Sequence, residues 1–212
     1  MRDFPLFPTE YGVASLALKE VPYRQAAYIT IQSALQPEEL LKECISFCRM
    51  VGAERIYARG HECLEAYPLH ASIYEMRGCI DLDESKVEQL WPVTEETAAR
   101  WREQLNTQLR QIDHAATLEK KDEKEIVKSG GAYFVHRAGE LLGVGLMNAG
   151  ELKMIAATQR GAGQRVFHTL LSANPVEQLR LEVVSTNSRA IGFYEKLGFV
   201  KTGEICRWHQ VY

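Results

Sequence analysis

Apolar and polar residues alternate in short runs along the chain, and between these runs apolar residues recur at helical spacing. Alternation predicts half-buried strands, whereas apolar positions three or four residues apart predict amphipathic helices. The elements predicted for the first part of the chain are a hairpin of residues 12–19 and 25–33 around Pro22, a helix of residues 37–51, a strand at 55–59, a short helix at 63–70 and a strand at 72–82. Residues 81–86, which are polar and charged, predict a linker.

The rest of the chain is predicted to hold two helices, a meander of strands and a second set of helices and strands. Thr94 is expected to cap a long amphipathic helix that reaches Ile112, and residues 119–128, whose charges alternate in sign, are expected to form a solvent-facing helix. The other predicted elements are strands at 87–93, 133–136, 141–147 and 152–157, a helix that begins in the loop at 158–165, a strand at 179–184, a helix after Asn187, and strands at 200–206 and 208–212. His168 lies off the apolar stripe of its helix and is expected at the surface.

The loop of residues 158–165 contains two glycines and two arginines just before a helical stripe begins. The first N–H groups of a helix have no carbonyl partner within the helix and lie at the positive end of its dipole, so this position favours an anion. Gly161 and Gly163 allow an anion to approach the backbone, and Arg160 and Arg165 can add charge-assisted hydrogen bonds. The Arg-Gly-x-Gly turn alone is weak support, because many helices that bind nothing begin in a similar way.

A second motif follows the predicted strand at 179–184. Residues 187–199 have the sequence NSRAIGFYEKLGF, in which Asn187 or Ser188 is suited to cap a helix and Gly198 to end it. The two motifs together resemble the signatures of the GCN5-related N-acetyltransferase (GNAT) superfamily, R/Q-x-x-G-x-G/A followed by N-x-x-A-x-x-F-Y-x-K-x-G-F. The matching residues are Arg160 and Gly163 in the first signature, and Asn187, Ala190, Phe193, Tyr194, Lys196, Gly198 and Phe199 in the second. Arg165 departs from the small residue that ends the first signature.

The resemblance implies an α+β fold with a mixed, mainly antiparallel sheet flanked by helices. It covers residues 86–212, which are expected to form a whole catalytic acetyltransferase domain. Residues 1–85 are expected to form an N-terminal α/β extension, and their order of elements is also that of a truncated, diverged half-copy of the acetyltransferase fold. Residues 31–36 contain no glycine loop and no arginine, so this first part is not expected to bind coenzyme A.

The resemblance also implies a reaction, in which a primary amine of a small molecule or peptide directly attacks acetyl-CoA in a ternary complex without a metal ion. Acetyl-CoA would be a co-substrate, and the acceptor amine is left open. The implied contacts to acetyl-CoA are Ile155, Ala156 and Ala157 on a strand, Arg160, Gly161, Ala162, Gly163, Gln164 and Arg165 in the loop, and Asn187 and Tyr194 on the next helix.

Three residue types are needed for the chemistry: an oxyanion donor, an acid for the departing thiolate, and a base for the amine. The resemblance places Ile155 at the oxyanion and Tyr194 near the sulfur, where a phenol with a reference pKa of about 10 can donate a proton. Glu151 and Glu182 are candidate bases, with His136 as a further candidate on a strand. Two other functions stay open: a noncatalytic acyl-CoA-binding or regulatory module, and a structural dimerisation protein with a vestigial site.

Composition limits the class of protein. The 212 residues are 46% hydrophobic and 25% charged, as in ordinary globular proteins, and no apolar run is long enough to span a bilayer. The N-terminus lacks the apolar core of a signal peptide, so a cytoplasmic protein without a membrane partner is expected. A net charge of −3 without a clustered basic stripe argues against nucleic acid as a partner. A homodimer is left open.

The five cysteines are odd in number and unevenly spaced, which favours free thiols over a disulfide framework. Cys44 and Cys48, with His61 and Cys63, are of residue types that bind zinc. However, Cys44 and Cys48 share the apolar stripe of the predicted helix at 37–51, so we expect them to be buried as small hydrophobic residues.

Overall fold

The computed structural model describes residues 5–112 and 114–212, and they group into two units. The first unit contains residues 5–74, Val184–Thr186 and Glu204–Tyr212. The second unit contains Glu75–Val183 and Asn187–Gly203. The chain therefore returns to the first unit at its C-terminal end. Each unit has its own hydrophobic core.

The first unit is built from a hairpin, a helix and a parallel strand. Its elements are β1 (Leu6–Thr9), β2 (Gly12–Ala17), α1 (Val21–Arg24), β3 (Ala26–Ala34), α2 (Pro37–Met50), β4 (Arg55–Arg59), a 3₁₀ segment (Glu62–Ala66), the first part of β5 (Leu69–Gly78) and the last part of β11 (Val200–Gln210). Strands β1, β2, β3, β4 and β11 lie side by side in that order. The β3–β4 pair is parallel and the other pairs are antiparallel, because α2 carries the chain back to the starting end of the sheet.

Helix α2 provides the core of the first unit. It begins at Pro37 with two glutamates in its first turn, which is favourable at the positive end of the helix dipole, and Gly52 follows its end at φ +94°. Cys44 and Cys48 are fully buried with Leu40 and Leu41 against the apolar face of β2, β3 and β4. Burial raises the pKa of the Cys44 thiol to about 12 and the pKa of the Cys48 thiol to about 11. The prediction that these two cysteines are buried among hydrophobic residues is confirmed.

The second unit is a sheet with helices on both faces, and it includes Glu75–Gly78 of β5 and Val200–Gly203 of β11. Its elements are a 3₁₀ segment (Glu84–Lys86), β6 (Gln89–Pro92), α3 (Ala98–Leu109), a second 3₁₀ segment (Lys120–Asp122), α4 (Glu123–Lys128), β7 (Ala132–Arg137), β8 (Glu140–Asn148), β9 (Glu151–Ala157), α5 (Gly163–Ser172), β10 (Leu179–Val184, to Val183 in this unit) and α6 (Ser188–Lys196). The strand order is β10-β9-β8-β7-β6, and β9–β10 is its parallel pair.

The two faces of this sheet pack differently. On one face, Trp101 and Leu105 of α3 and Ile126 of α4 lie in a core with Leu146 and Ala156. On the other face α5 lies close to β8, because Gly143 and Gly145 leave room that a Cβ atom would take from Val166 and Leu170. Helix α5 is therefore held tightly at the end of β9, where the predicted anion loop precedes it.

Some predicted elements of the first unit are wrong in detail. Strand β1 was not expected, and it forms on the edge of the sheet, where Pro8 can be accommodated, by pairing with β2. The expected turn at Pro22 is the short helix α1, and the expected helix at 63–70 is the 3₁₀ segment Glu62–Ala66. These segments are too short for an apolar repeat to determine their structure.

Three further predictions are also corrected. Helix α3 spans Ala98–Leu109, so it starts later than a cap at Thr94 would imply and ends before Ile112. The Thr94 carbonyl accepts hydrogen bonds from the N–H groups of Thr97 and Ala98. His168 is 5% exposed rather than at the surface, and its Nδ1 accepts the Asp83 N–H at 3.2 Å. The two predicted C-terminal strands are one strand, β11. The apolar stripe predicted too few buried positions on α5, because every residue from Val166 to Leu171 is buried, including His168.

Within the described ranges, no helix is long and apolar enough to cross a membrane.

Candidate active site

Strands β9 and β10 pair over only two residues. Glu151 is opposite Arg180 and Leu152 is opposite Leu181, and the Arg180 N–H donates to the Gly150 carbonyl at 2.9 Å. Beyond Leu152, no residue of β9 has a partner on β10 in the described part of the chain. The two strands therefore part, and a gap opens along residues 153–157 of β9.

A bulge in β9 coincides with the start of this gap. On β8, Leu146 pairs with Met154 and the next residue, Met147, pairs with Leu152. Lys153 is therefore an extra residue on β9. Because a bulge bends its strand and increases the local twist, Lys153 gives a local cause for the separation of β9 from β10.

Backbone N–H groups of β9 are directed toward the gap. The N–H of Thr158, the residue after β9, donates to the Leu142 carbonyl of β8 at 2.9 Å. Since N–H groups point alternately to the two sides of a strand, those of Ala157 and Ile155 point away from β8. Ala156 directs its N–H toward β8 and its side chain into the core. Of the three strand residues predicted to contact acetyl-CoA, Ile155 and Ala157 thus present N–H groups to the gap.

The loop after β9 leads directly into α5. Arg160 and Gly161 are exposed, Gly161 has φ +86°, and Ala162 is buried. The first helical hydrogen bond joins the Val166 N–H to the Ala162 carbonyl. The N–H groups of the three residues Gly163, Gln164 and Arg165 lie in the first turn, where a helix offers them no carbonyl. They are the N–H groups that the sequence predicts to bind an anion.

Arg165 has a partner that the sequence did not indicate. Its guanidinium Nη1 lies 2.5 Å from Oε1 of Glu88, and Arg137 Nε lies 3.6 Å from the same oxygen. By contrast, Arg160 makes no ion pair with any residue that the structure describes. The side chain that departs from the family signature is therefore committed to Glu88, and Arg160 has its charge available.

The two sequence motifs contact one another. A Cβ atom at Gly163 would lie 3.2 Å from Cε2 of Phe193 on α6, so any larger residue would require the Phe193 ring to shift. Asn187 caps α6, since its Oδ1 accepts the Ala190 N–H at 3.1 Å. The loop and α6 are thus two parts of one packed structure.

Tyr194 is buried on α6, with 9% of its surface exposed. Its ring centroid lies 5.4 Å from that of Phe193 and 5.8 Å from that of Phe199. Its hydroxyl has no hydrogen-bond partner within residues 5–112 and 114–212. Burial raises the pKa of Tyr194 to about 12, so the phenol stays protonated at neutral pH and can act as a proton donor.

The candidate bases differ in their surroundings. Glu151 Oε2 lies 3.2 Å from Arg180 Nη2 and 4.0 Å from Lys153 Nζ. Glu182 is exposed on β10 and makes no ion pair among the described residues. Leu179 and Leu181 of β10 are buried, whereas Arg180 and Glu182 are exposed, so Arg180 and Glu182 share one face of the sheet. Glu151 lies on the same face, because it is opposite Arg180 on β9. His136 is on β7, separated from β9 by β8, and burial lowers its pKa.

Neither a protein-family model nor a curated protein matches the sequence. Several solved structures do match the fold. A protein of unknown function from Staphylococcus epidermidis has a TM-score of 0.57 at 8% identity, over 99% of this chain and 94% of that one. A candidate acetyltransferase from Pyrococcus horikoshii has a TM-score of 0.57 at 11% identity, over 93% and 68%. A GCN5-related N-acetyltransferase from Kribbella flavida has a TM-score of 0.55 at 12% identity, over 94% and 56%.

The chain has the GNAT fold. The predicted α+β class, with a mixed, mainly antiparallel sheet flanked by helices, is confirmed. In this GNAT fold the parting of β9 and β10, the loop at the start of α5 and the motif on α6 all belong to the second unit. Among the residues that the structure describes, no group of three or more His, Cys, Asp or Glu side chains is arranged to hold a metal ion.

Proposed function

We propose that this protein is an N-acetyltransferase that transfers the acetyl group of acetyl-CoA to a primary amine by direct attack in a ternary complex. The supporting observation is that β9 parts from β10 just before a glycine loop at the start of a helix. The gap offers N–H groups for an extended polar chain, and the loop offers N–H groups for a diphosphate. This combination matches the two parts of coenzyme A, a pantetheine arm and a pyrophosphate.

The residues present fit such a ligand. Around Gly161, no atom of the described residues other than its two chain neighbours lies within 4 Å of where a Cβ would be, so the loop is open to an approaching phosphate. The first-turn N–H groups of α5 and the guanidinium of Arg160 would bind the pyrophosphate. The Ala157 N–H would bind an amide of the pantetheine arm, and the Ile155 N–H would bind the thioester oxygen.

These groups supply what acetyl transfer requires. The amine nitrogen attacks the thioester carbonyl carbon, and the Ile155 N–H stabilises the charge that develops on the oxygen. As the new C–N bond forms the C–S bond breaks, and the sulfur takes its proton from the Tyr194 hydroxyl. The nitrogen loses a proton to a base, for which we favour Glu182, because Glu151 is in an ion pair with Arg180. Solvent then returns a proton to Tyr194, leaving an acetylated amine and a free thiol.

The alternative is a module that binds acyl-CoA without transferring the acyl group. The ion pair at Glu151 favours it, because that carboxylate is one of the two predicted bases. Calorimetric titration with acetyl-CoA, followed by thiol-release assays on a panel of amines, separates the two functions. Binding with amine-dependent thiol release supports the transferase, and binding without release supports the module. Absence of binding at near-millimolar acetyl-CoA would exclude both and leave a structural protein with a vestigial site.

A further inference from the structure

The second unit contains an open cavity of about 500 Å³ between α4 and the ends of β8 and β9. Its floor is apolar, with Leu118, Ile126 and Leu146, and its rim carries charged residues that include Glu125, Lys128 and Lys153. The volume is in the range of small-molecule sites. The cavity can therefore hold a compact ligand with both apolar and charged parts.

The cavity meets the start of the gap at one residue. Lys153, which lines the cavity, is the bulge residue at which β9 leaves β10. On the opposite face of the sheet, α5 packs so closely on β8 that Gly143 and Gly145 are needed. An acceptor held in this cavity would approach the gap from the face of α3 and α4.

Two lysines and two carboxylates line the cavity, and they differ in how closely they are paired. Lys128 makes no ion pair within the described ranges, and the ammonium of Lys153 lies 4.0 Å from its one carboxylate neighbour, Glu151. The lining residue Asp122 has an oxygen committed to the Glu119 N–H, at 2.7 Å. Two ammonium groups from separate elements, α4 and β9, thus lie at one rim, which they share with the carboxylates of Asp122 and Glu125.

We propose that the acceptor carries an anionic group, a carboxylate or a phosphate, in addition to the amine that is acetylated. Lys128 and Lys153 bind the anionic group, and the apolar floor holds the carbon skeleton. This inference rests on the proposed acetyltransferase function and names its substrate class.

The test uses the full-length protein and pairs of amines that share a skeleton and differ in the anionic group. Suitable pairs are lysine with cadaverine, phenylalanine with 2-phenylethylamine, and O-phosphoethanolamine with ethanolamine; the last pair distinguishes phosphate from carboxylate. An NMR titration that follows the amide chemical shifts of the cavity residues reports binding whether or not transfer occurs. Thiol release from acetyl-CoA reports kcat/KM for each amine.

We expect the anionic member of a pair to bind and react more strongly, and the preference to weaken as salt is added. Lys153→Met and Lys128→Met should each lower kcat/KM for amines with an anionic group by about 5- to 20-fold, the loss of one charge-assisted contact, with the partners that lack this group nearly unchanged. Lys124→Met is the matched control, since Lys124 is an exposed residue of α4 that does not line the cavity.

Equal binding of both members, or equal losses for both in the lysine variants, would overturn the proposed substrate class even if acetyl transfer occurs. Failure of acetyl-CoA to bind would instead remove the transferase function, and the NMR titration would still decide whether the cavity selects anionic amines. If cavity shifts are no larger for any amine with an anionic group than for its partner without one, the proposal is wrong.

Discussion

At the scale of single residues, the Tyr194 hydroxyl allows a catalytic role to be tested separately from packing. Tyr194→Phe keeps the ring beside Phe193 and Phe199 and removes only the proton donor. We expect kcat to fall by about 10²- to 10⁴-fold while acetyl-CoA affinity is retained. The melting temperature should hardly change, because the hydroxyl has no hydrogen bond to lose in the described part of the protein. Thiol-release kinetics with calorimetry measure both effects, and an unchanged kcat would exclude Tyr194 as the acid.

The same residue predicts an alkaline loss of stability. Its pKa is about 10 in an unfolded chain and is raised to about 12 by burial in the native protein. Between these values the unfolded state has lost the proton and the native state has kept it, so stability falls as pH rises through this window and is unaffected below it. The wild type should lose roughly 2–3 kcal/mol more than Tyr194→Phe between pH 10 and 12. The free energy of unfolding of both proteins is measured by denaturant titration at each pH. An equal fall in the two proteins between pH 10 and 12 would refute this prediction.

Arg160 and Arg165 are expected to differ in function although both lie in the anion loop. Arg160→Ala should weaken acetyl-CoA binding by about 10- to 100-fold, because it removes an available charge-assisted contact. Arg165→Ala should change affinity by less than about threefold and reduce stability by on the order of 1 kcal/mol, because its partner is Glu88. Calorimetry and thermal unfolding of both variants test this contrast. A larger loss of affinity in Arg165→Ala would show that Arg165 leaves Glu88 to bind the cofactor.

At the scale of elements, the contact between the loop and α6 depends on one glycine. A methyl group at Gly163 would press on the Phe193 ring, and Gly163→Ala should lower both the melting temperature and acetyl-CoA affinity. Gly192→Ala on the same helix is the control, since open space surrounds the position where its Cβ would be. That change should raise stability by about 0.5–1 kcal/mol through helix propensity. Similar effects in both variants would mean that the Gly163–Phe193 contact is unimportant.

The β3–β4 pair of the first unit makes a useful comparison with β9–β10. It has the same order of hairpin, helix and parallel strand, yet β3 and β4 pair over five residues, from Ala26 with Arg55 to Thr30 with Arg59. No gap opens along this length, and no glycine loop precedes α2. We therefore expect one acetyl-CoA per chain, which the stoichiometry of the calorimetric titration measures. A stoichiometry of two would require a second site in the first unit.

At the scale of the whole molecule, the chain's C-terminal segment belongs to the first unit. His209 and Gln210 pair with Ala58 and Tyr57 of β4, and Val211 packs against the core around α2. Deletion of residues 204–212 should therefore destabilise β4 and α2, far away in sequence. Hydrogen exchange of the amides of β4 tests this, with Lys201→Ala, an exposed change on the same strand, as the control. Unchanged protection of β4 would show that these pairs contribute little.

Local patterning alone was enough to predict several elements. The strands at 55–59 and 179–184 form with the expected bounds, α2 begins at Pro37, and Asn187 caps α6. These features depend on residues a few positions apart: apolar periodicity, a proline at a helix start, and a side chain that accepts an N–H three residues later. The resemblance to a known fold depended on two such local motifs.

The features that shape the candidate site depend on distant residues and were not predictable in this way. The bulge at Lys153 exists only relative to the register of β8, and the gap exists only because β10 stops pairing after Leu181. Glu88 meets Arg165 across 77 positions of sequence, and no local pattern indicates that pair. Periodicity shows which way a side chain points along its own element, whereas strand register, a gap between strands and an ion pair are decided by which elements fold against one another.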